Sequence, residues 1–322
     1  MTNLKERLSN VISGREDEEK GSSDKFSGYC SISYARECCK GSGYQLSKKG
    51  PYLHASLCDC VRSCPTCLGN LFKTDEEGKS RPCARPLPNV VVNFFNEAHI
   101  PARYLDATLD RFKNYTGNGE VVMEKLQKLL SCYPIKSLST RSQTSEGGVI
   151  ISGPVGVGKT FVLASMAKEL VRKGYSVKFV DFFQLLAEIK AAFNRKESEE
   201  SLLKPLIEVD VLLIDELGKG RNTEFELTII DQIVMGRYNQ DKPIFATTNY
   251  MFKDSSDQHS YNVDLTQKRD GLSSQFSPDQ FGLLKNRVGT RIFSRLEETC
   301  LLLELAGQDY RRMLASEKGV FQ

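Results

Sequence analysis

The stretch GGVIISGPVGVGKTFVLASMAKELVRK at 147–173 constrains this chain more than any other. The apolar run at 149–152 has the length of a buried strand. The segment 160–173 carries Leu163, Met166, Ala167, Leu170 and Val171 on one helical face, with Gly174 following as a stop. Between them Gly153, Pro154, Val155, Gly156, Val157, Gly158, Lys159 and Thr160 satisfy G-x-x-x-x-G-K-[ST] in the strand-to-helix setting that the motif requires. The glycines let the backbone wrap round a phosphate chain, while amides of the turn and of the helix start donate to phosphate oxygens. Lys159 neutralises the β and γ phosphates, and Thr160 ligates Mg²⁺. With glycine at about 7% of residues, a chance match in a chain of this length arises about once in a hundred. The competing reading is a glycine turn without a ligand.

The residues that follow complete such a site. VLLIDE at 211–216 is a four-residue apolar run ending in Asp215 and Glu216 at a strand tip. Asp215 is placed to hold the water shell of the metal and Glu216 to polarise an attacking water, which favours hydrolysis of ATP to ADP over transfer to a second substrate. The next strand, PIFATT at 243–248, leads to Asn249, whose amide can orient that water; alone, it would read as a turn residue. Arg287, Arg291 and Arg295 in RVGTRIFSRLEE repeat at four-residue intervals and lie along one helical face. Such a stripe is either a solvated, acid-binding face or the source of an arginine finger that completes a neighbouring subunit's site, because guanidinium matches the charge on a transferring phosphate.

Further short apolar runs at 177–181 and 300–305 alternate with helical patterns, one of them marked by Leu227, Ile230 and Val234. Strands and helices alternating at this spacing predict βαβ units, hence an α/β fold with a parallel sheet covered on both faces. The polar segment 252–284 is longer than loops of compact domains usually are and reads as a functional loop or an insertion.

Composition divides the chain of 322 residues. Eight of its ten cysteines (Cys30, Cys38, Cys39, Cys58, Cys60, Cys64, Cys67 and Cys83) fall in the first 83 residues. Residues 1–28 are charged and polar and read as a mobile segment, 29–99 as a Cys-rich domain held by a metal, and 100–322 as the nucleotide-binding domain. The amino terminus lacks a signal-peptide core, and no run approaches the about 18 apolar residues of a membrane span, so a cytoplasmic protein is expected. In a reducing compartment, crowded cysteines point to metal ligands or free thiols before disulfides. Five thiols (Cys58, Cys60, Cys64, Cys67 and Cys83) are one more than a tetrahedral site uses. Zn²⁺ on Cys60, Cys64, Cys67 and Cys83, with Cys58 as the substitute for Cys60, is the expectation; free thiols or an iron–sulfur cluster are the alternatives. Cys30, Cys38 and Cys39 offer at most a second site of poor spacing, with His54. Cys132 and Cys300 read as buried small hydrophobes. A net charge of +3, from 44 basic and 41 acidic residues, excludes bulk electrostatics as the basis of nucleic-acid binding, so any polyanion site is local.

Taken in order, GPVGVGKT, VLLIDELG, FATTN, RVGTRIFSRL and DYRRML resemble an AAA+ ATPase of the bacterial helicase-loader group, the DnaC and DnaI type, with the transposition helper IstB as near kin. The resemblance spans about 100–316. It implies an AAA+ core with a five-stranded parallel sheet and, with about ten residues after Arg311, a rudimentary lid. It takes in IPARYLDATLDRF at 100–112, similar to the segment of that group that holds the nucleotide base, which would bring Arg103, Tyr104 and Phe112 near it. It implies Arg295 as the finger, with Arg291 the competing choice, and Arg311 as a second sensor of the γ-phosphate. It also implies homo-oligomers on ATP binding, and single-stranded DNA on Phe193 and Phe225, with Lys190, Arg195, Lys219 and Arg221 near the phosphates; helix packing is the alternative for either ring. The Cys-rich domain would grip a replicative helicase. The runner-up functions are an ATP-binding regulator of DNA transposition and a non-hydrolysing adaptor switched by ATP. The segment 252–284 is longer than in that group.

Overall fold

The computed structural model describes residues 38–62 except 41, 67, 70, 72–82 except 75 and 79, 88–113, 117–131, 133, 147–195, 198–253 and 282–310. Cys64, Cys83, Arg311 and most of the 252–284 segment therefore lie outside the described residues, as do the lid region beyond 310 and residues 1–28.

The amino-terminal part opens with an antiparallel hairpin of β1 (Tyr44–Lys49) and β2 (Tyr52–Leu57), turned at Gly50 and Pro51. Gly50 has φ +60°, a conformation that glycine adopts without the steric cost a side chain carries. A short helix α1 (Asp59–Arg62) and a small pair, β3 (Phe72–Thr74) and β4 (Ser80–Pro82), follow before α2 (Pro88–Ala98). Helix α2 lies on β2 and completes its open edge. The Asn96 amide accepts from the Ala55 N–H (2.8 Å) and donates to the Ala55 carbonyl (3.2 Å), as a neighbouring strand would. The chain then runs beside β2 again, Leu53 N–H donating to the Ile100 carbonyl at 2.8 Å, and passes through 3₁₀ turns at Ala102–Tyr104 and Leu109–Arg111 into α3 (Gly119–Ser131).

The core is a five-stranded, wholly parallel sheet of β5 (Gly148–Ser152), β6 (Val177–Asp181), β7 (Val211–Asp215), β8 (Ile244–Thr248) and β9 (Cys300–Glu304), in the order β6-β7-β8-β5-β9. The helices between them are α4 (Lys159–Arg172), α5 (Phe182–Asn194), α6 (Glu199–Glu208), α7 (Glu224–Tyr238), α8 (Leu284–Val288) and α9 (Thr290–Thr299). Successive strand residues serve opposite faces. Val149, Ile151, Val211, Leu213 and Phe245 pack with α3 and α4, whereas Ile150, Leu212, Ile214, Ile244 and Ala246 pack with α5, α6, α7, α8 and α9. Both faces being covered, β5, β7 and β8 are buried throughout, which is why they appear in the sequence as unbroken apolar runs.

The hairpin and α2 do not pack apart from this core. Tyr44, Leu53, Ala55, Val91 and Phe95 share one buried cluster with Val162, Met166 and Leu170 of α4. Apolar contacts therefore cross residue 99.

Candidate nucleotide site and cysteine cluster

Because β5 lies between β8 and β9, its carboxyl end opens where the chain leaves to opposite sides of the sheet, the position at which open α/β sheets bind ligands. The phosphate loop fills that place, and its form follows from its glycines. Gly156 and Gly158 have φ +86° and +97°. A Cβ at Gly156 would meet the Asp309 carboxylate at 2.1 Å, and one at Gly158 the Phe112 ring at 2.8 Å. Helix α4 begins at Gly158 with no side-chain cap, whereas α5 and α7 are capped by Asp181 and by a Thr223–Glu226 capping box. The first-turn amides of α4 are thus left for an anion. Lys159 is buried and donates to the carbonyls of Gly153 and Pro154, both at 2.7 Å. Two carbonyls hold its ammonium over the loop that phosphate would enter.

Strand register brings the remaining groups to the same edge. Asp181 pairs with Asp215 across β6 and β7, and Ile151 with Thr247 across β5 and β8. Thr160 donates to Asp215 Oδ1 at 3.0 Å and Thr247 to the same oxygen at 2.5 Å, while the Thr247 hydroxyl accepts the Glu216 N–H at 3.0 Å. Burial pushes the Asp215 carboxyl above its ordinary value, opposed by the two hydroxyl donors. A buried carboxylate beside a threonine hydroxyl is an all-oxygen donor set that suits Mg²⁺, whose charge would remove that burial penalty. Glu216 follows with φ +58°, the left-handed conformation that turns the chain out of β7. Asn249 stands half-buried at the end of β8 on the same edge. Thr160, Asp215 and Glu216 are thus joined through Thr247 at one sheet edge, with Lys159 on the phosphate loop that follows β5.

The arginines separate into distinct environments. Arg287 serves its own chain: Nε donates to the Gly218 carbonyl at 3.1 Å, Nη2 donates to that of Gly220, and the guanidinium lies 5.1 Å from the Tyr250 ring centroid. It braces the turn that follows Glu216. Arg295 is 40% exposed, stacks over Tyr238 at 4.7 Å and pairs with Glu298 at 3.2 Å. Arg291 is 71% exposed, with Asp231 at 3.9 Å.

The segment before the core lies over the loop. Phe112 contacts Gly158 and stands 6.3 Å from Phe161 in a tilted ring pair, and Arg103 lies 4.9 Å from the Tyr104 ring centroid. Phe193 and Phe225, 32 positions apart, meet in a T-shaped pair at 5.6 Å and line a cleft of about 360 Å³ with Glu224, Thr228, Ile229 and Gln232. Phe193 is 41% exposed.

The cysteines are grouped differently from the expected set. Cys60 lies with Cys38, Cys39 and Cys58, all four sulfurs within 4.8 Å of one another. Cys67 is buried and is no member of that group, and Cys64 and Cys83 lie outside the described residues. The hairpin is the reason. Its register pairs Tyr44 with Leu57, and Cys58 N–H donates to the Gly43 carbonyl, which folds the Cys38–Cys39 turn onto Cys58 and Cys60. The sequence signal was there, because alternating YQLSKK and YLHASL flank the turn dipeptide Gly50–Pro51. Contacts of 3.4 Å for Cys38–Cys58 and 3.5 Å for Cys39–Cys60 are close to the about 3.8 Å that thiolates adopt round a tetrahedral zinc. Gly43 N–H also donates to Cys39 Sγ at 3.3 Å. The cluster is compatible with Zn²⁺. Cys300 is buried, as expected of a small hydrophobe.

Two buried cations escaped the sequence reading, which treats charged helix positions as solvated. Arg237 on α7 is fully buried and donates to the carbonyls of Leu206, Ile207, Val209, Asp210 and Pro243. Lys168 on α4 is 8% exposed and donates to three carbonyls of the segment before the core. Among the described residues no helix is long and apolar enough to cross a membrane.

Residues 123–265 match the family model described as IstB-like ATP binding protein. The chain is 38% identical over 101 residues to the replicative helicase loader DnaC of Escherichia coli K12, a stretch covering 31% of this chain and 41% of DnaC. It is 29% identical over 176 residues to the replicative helicase loader DnaI of Bacillus subtilis, covering 54% of this chain and 51% of DnaI. These matches span about half, or less, of the relatives' length. Among solved structures, the crystal structure of the DnaC helicase loader aligns with a TM-score of 0.46 at 24% identity, covering 63% of this chain and 99% of that one. Residues 123–265 are thus similar to IstB-like ATP-binding proteins, with the phosphate loop and the Asp215 edge inside the matched span, and the chain is similar to the DnaC and DnaI helicase loaders.

Proposed function

We propose that this chain is an ATP-dependent helicase loader of DNA replication: an ATPase that holds single-stranded DNA, engages a replicative helicase and hydrolyses ATP to ADP. The observation that carries the chemistry is the convergence of Lys159, Thr160, Asp215, Thr247 and Glu216 at one sheet edge. Mg²⁺, when bound, neutralises the phosphate charge that develops during hydrolysis. Thr160 and Asp215 hold it, the loop amides and Lys159 bind the β and γ phosphates, Glu216 takes the proton of the attacking water, and Asn249 orients that water. Arg295, with Arg291 as the competing residue, reaches a neighbouring protomer's ATP, and Arg311 senses the γ-phosphate from its own chain, so that ATP builds a homo-oligomer. Phe193 and Phe225 stack on bases, with Lys190, Arg195, Lys219 and Arg221 near the phosphates. Zn²⁺ on Cys38, Cys39, Cys58 and Cys60 fixes the amino-terminal hairpin, the element offered to the helicase.

Similarity to DnaC and DnaI supports this assignment. The test is co-purification of the tagged full chain with its host's replicative helicase, joined to an ATPase assay with and without single-stranded DNA. Recovery of the helicase and DNA-dependent turnover are expected. The match to the IstB-like model favours a second reading, an ATP-binding regulator of transposition. Recovery of a transposase and preference for duplex DNA would establish it, and turnover near zero under every condition would leave an ATP-switched adaptor.

A further inference from the structure

Lys168 lies nine residues beyond Lys159 on the helix that starts at the phosphate loop, yet its ammonium is spent on a segment more than 60 residues earlier. Nζ donates to the carbonyls of Tyr104 (3.4 Å), Leu105 (2.5 Å) and Ala107 (2.7 Å). All three acceptors belong to the turns at 102–111. Eight residues after Tyr104, that segment ends in Phe112, which covers Gly158 and pairs with Phe161. One end of the segment is therefore tied to the middle of α4 and the other rests on its first turn. A buried cation satisfied by three convergent carbonyls fixes the backbone it binds, since releasing any of them leaves polar groups unpaired. Helix surfaces of this kind ordinarily turn lysines to solvent, so a lysine 8% exposed with three loop carbonyls is a built contact.

We propose that Lys168 is a positioning residue for nucleotide selection: it locks the 102–112 segment onto the phosphate-loop helix, so that Phe112 forms a ready wall for the purine base. It touches no phosphate. Its effect falls on the base-dependent part of affinity, where an ordered wall removes the cost of ordering a loop on binding. The inference rests on the reading that this chain binds ATP with its base against that segment.

The experiment measures, by calorimetry on the full chain, the affinities for ATP and for inorganic tripolyphosphate, which carries the phosphates without a base. Wild type should prefer ATP. Lys168→Met should weaken ATP about tenfold, the scale of one charge-assisted hydrogen bond, and move tripolyphosphate by no more than about twofold. Lys168→Arg, which can still reach carbonyls, should restore ATP affinity to within about threefold. In the Phe112→Ala background, Lys168→Met should change ATP affinity by less than about twofold, because the two residues act in series. Equal weakening of both ligands, or additive effects of the two substitutions, overturns the proposal in favour of general loosening. Unchanged ATP affinity in Lys168→Met, with base preference intact in wild type, overturns it directly. A wild type that binds tripolyphosphate as well as ATP overturns the base-wall reading beneath it, and one that binds neither overturns the nucleotide site itself.

Discussion

The Lys219 ammonium makes an ion pair with the Glu216 carboxylate, three residues upstream on the turn that leaves β7. The hydrogen bond to Glu216 raises the Lys219 value, so the ammonium stays charged at neutral pH. A carboxylate occupied by an ammonium is a poorer proton acceptor, and Lys219 is also one of the cations proposed above to meet DNA phosphates. Glu216→Gln should retain ATP binding and lose turnover by about 100-fold or more, the usual contribution of a general base. Lys219→Ala should raise DNA-independent turnover about two- to threefold by freeing that base, within the range of a partly exposed ion pair. Steady-state ATPase rates and nucleotide titrations check both; unchanged turnover in Glu216→Gln would remove its assigned role.

Gly158 admits no side chain, for two separate reasons. Its φ of +97° is strained for any L-residue, and a Cβ would stand 2.8 Å from Phe112. Gly158→Ala should abolish measurable ATP binding, and pairing it with Phe112→Ala should relieve the contact without relieving the backbone strain. The double variant should stay at least about tenfold weaker than Phe112→Ala alone, corresponding to the about 1–3 kcal/mol of such backbone strain. Nucleotide titration of the three variants separates the two causes.

Arg237 ties α7 to the end of α6 and to the segments entering β7 and β8 through five carbonyls. Burial lowers its pKa to about 10, so it remains charged at pH 7. Arg237→Met keeps the aliphatic volume and leaves those carbonyls without their donor. The expected loss of unfolding free energy is about 3–5 kcal/mol, the cost of breaking a buried, charge-assisted network. Urea denaturation followed by circular dichroism would measure it, and a loss below about 1 kcal/mol would mean that water replaces the guanidinium.

Acid should loosen the contact between the amino-terminal part and the core through His99. His99 stacks on Tyr52 at 4.8 Å, and Lys178 of β6 approaches its Nδ1 at 3.1 Å. Burial, and then the Lys178 charge, lower the His99 value below 6.5, with Glu188 opposing. The folded chain thus holds this proton less tightly than the unfolded chain. The stability it contributes is complete above about pH 6.5 and is lost as pH falls through the folded value. His99→Asn suits the positive φ of 57° at this position and should flatten the fall in unfolding midpoint between pH 7.5 and 5. Equal slopes for the two proteins would assign the acid sensitivity elsewhere.

What the sequence made legible was whatever is encoded locally. The runs 149–152, 211–215 and 244–248 are strands buried on both faces, so composition alone marked them, and strand ends delivered Asp215 and Glu216 with them. Functions assembled across distance stayed hidden. Lys168 and Arg237 look like ordinary charged helix positions until the carbonyls they meet, up to 64 residues away, are seen. The cluster of Cys38, Cys39, Cys58 and Cys60 stayed hidden for the same reason: a Cys-Pro-x-Cys spacing at 64–67 is conspicuous, whereas the partnership of 38–39 with 58–60 exists only once the hairpin closes.

That regrouping makes the metal the sharpest remaining test. Cys39, Cys58 and Cys60 are buried, and burial with neighbouring thiols raises the Cys60 value, so the Cys60 thiolate is disfavoured unless a cation joins the cluster. Zinc binding should release protons and contribute folding energy. The purified chain should carry about one zinc per molecule by elemental analysis, as a single four-thiolate site requires. Cys39→Ser and Cys60→Ser should each lose the metal and lower the thermal midpoint of the amino-terminal hairpin, followed through amide hydrogen exchange at Leu53 and Ala55. Cys67→Ser separates the two possible sets. It should keep its zinc if Cys38, Cys39, Cys58 and Cys60 are the ligands, and lose it if Cys60 pairs with Cys64, Cys67 and Cys83. Full retention of exchange protection after chelation would show that the hairpin stands on its apolar contacts with α2 and needs no metal.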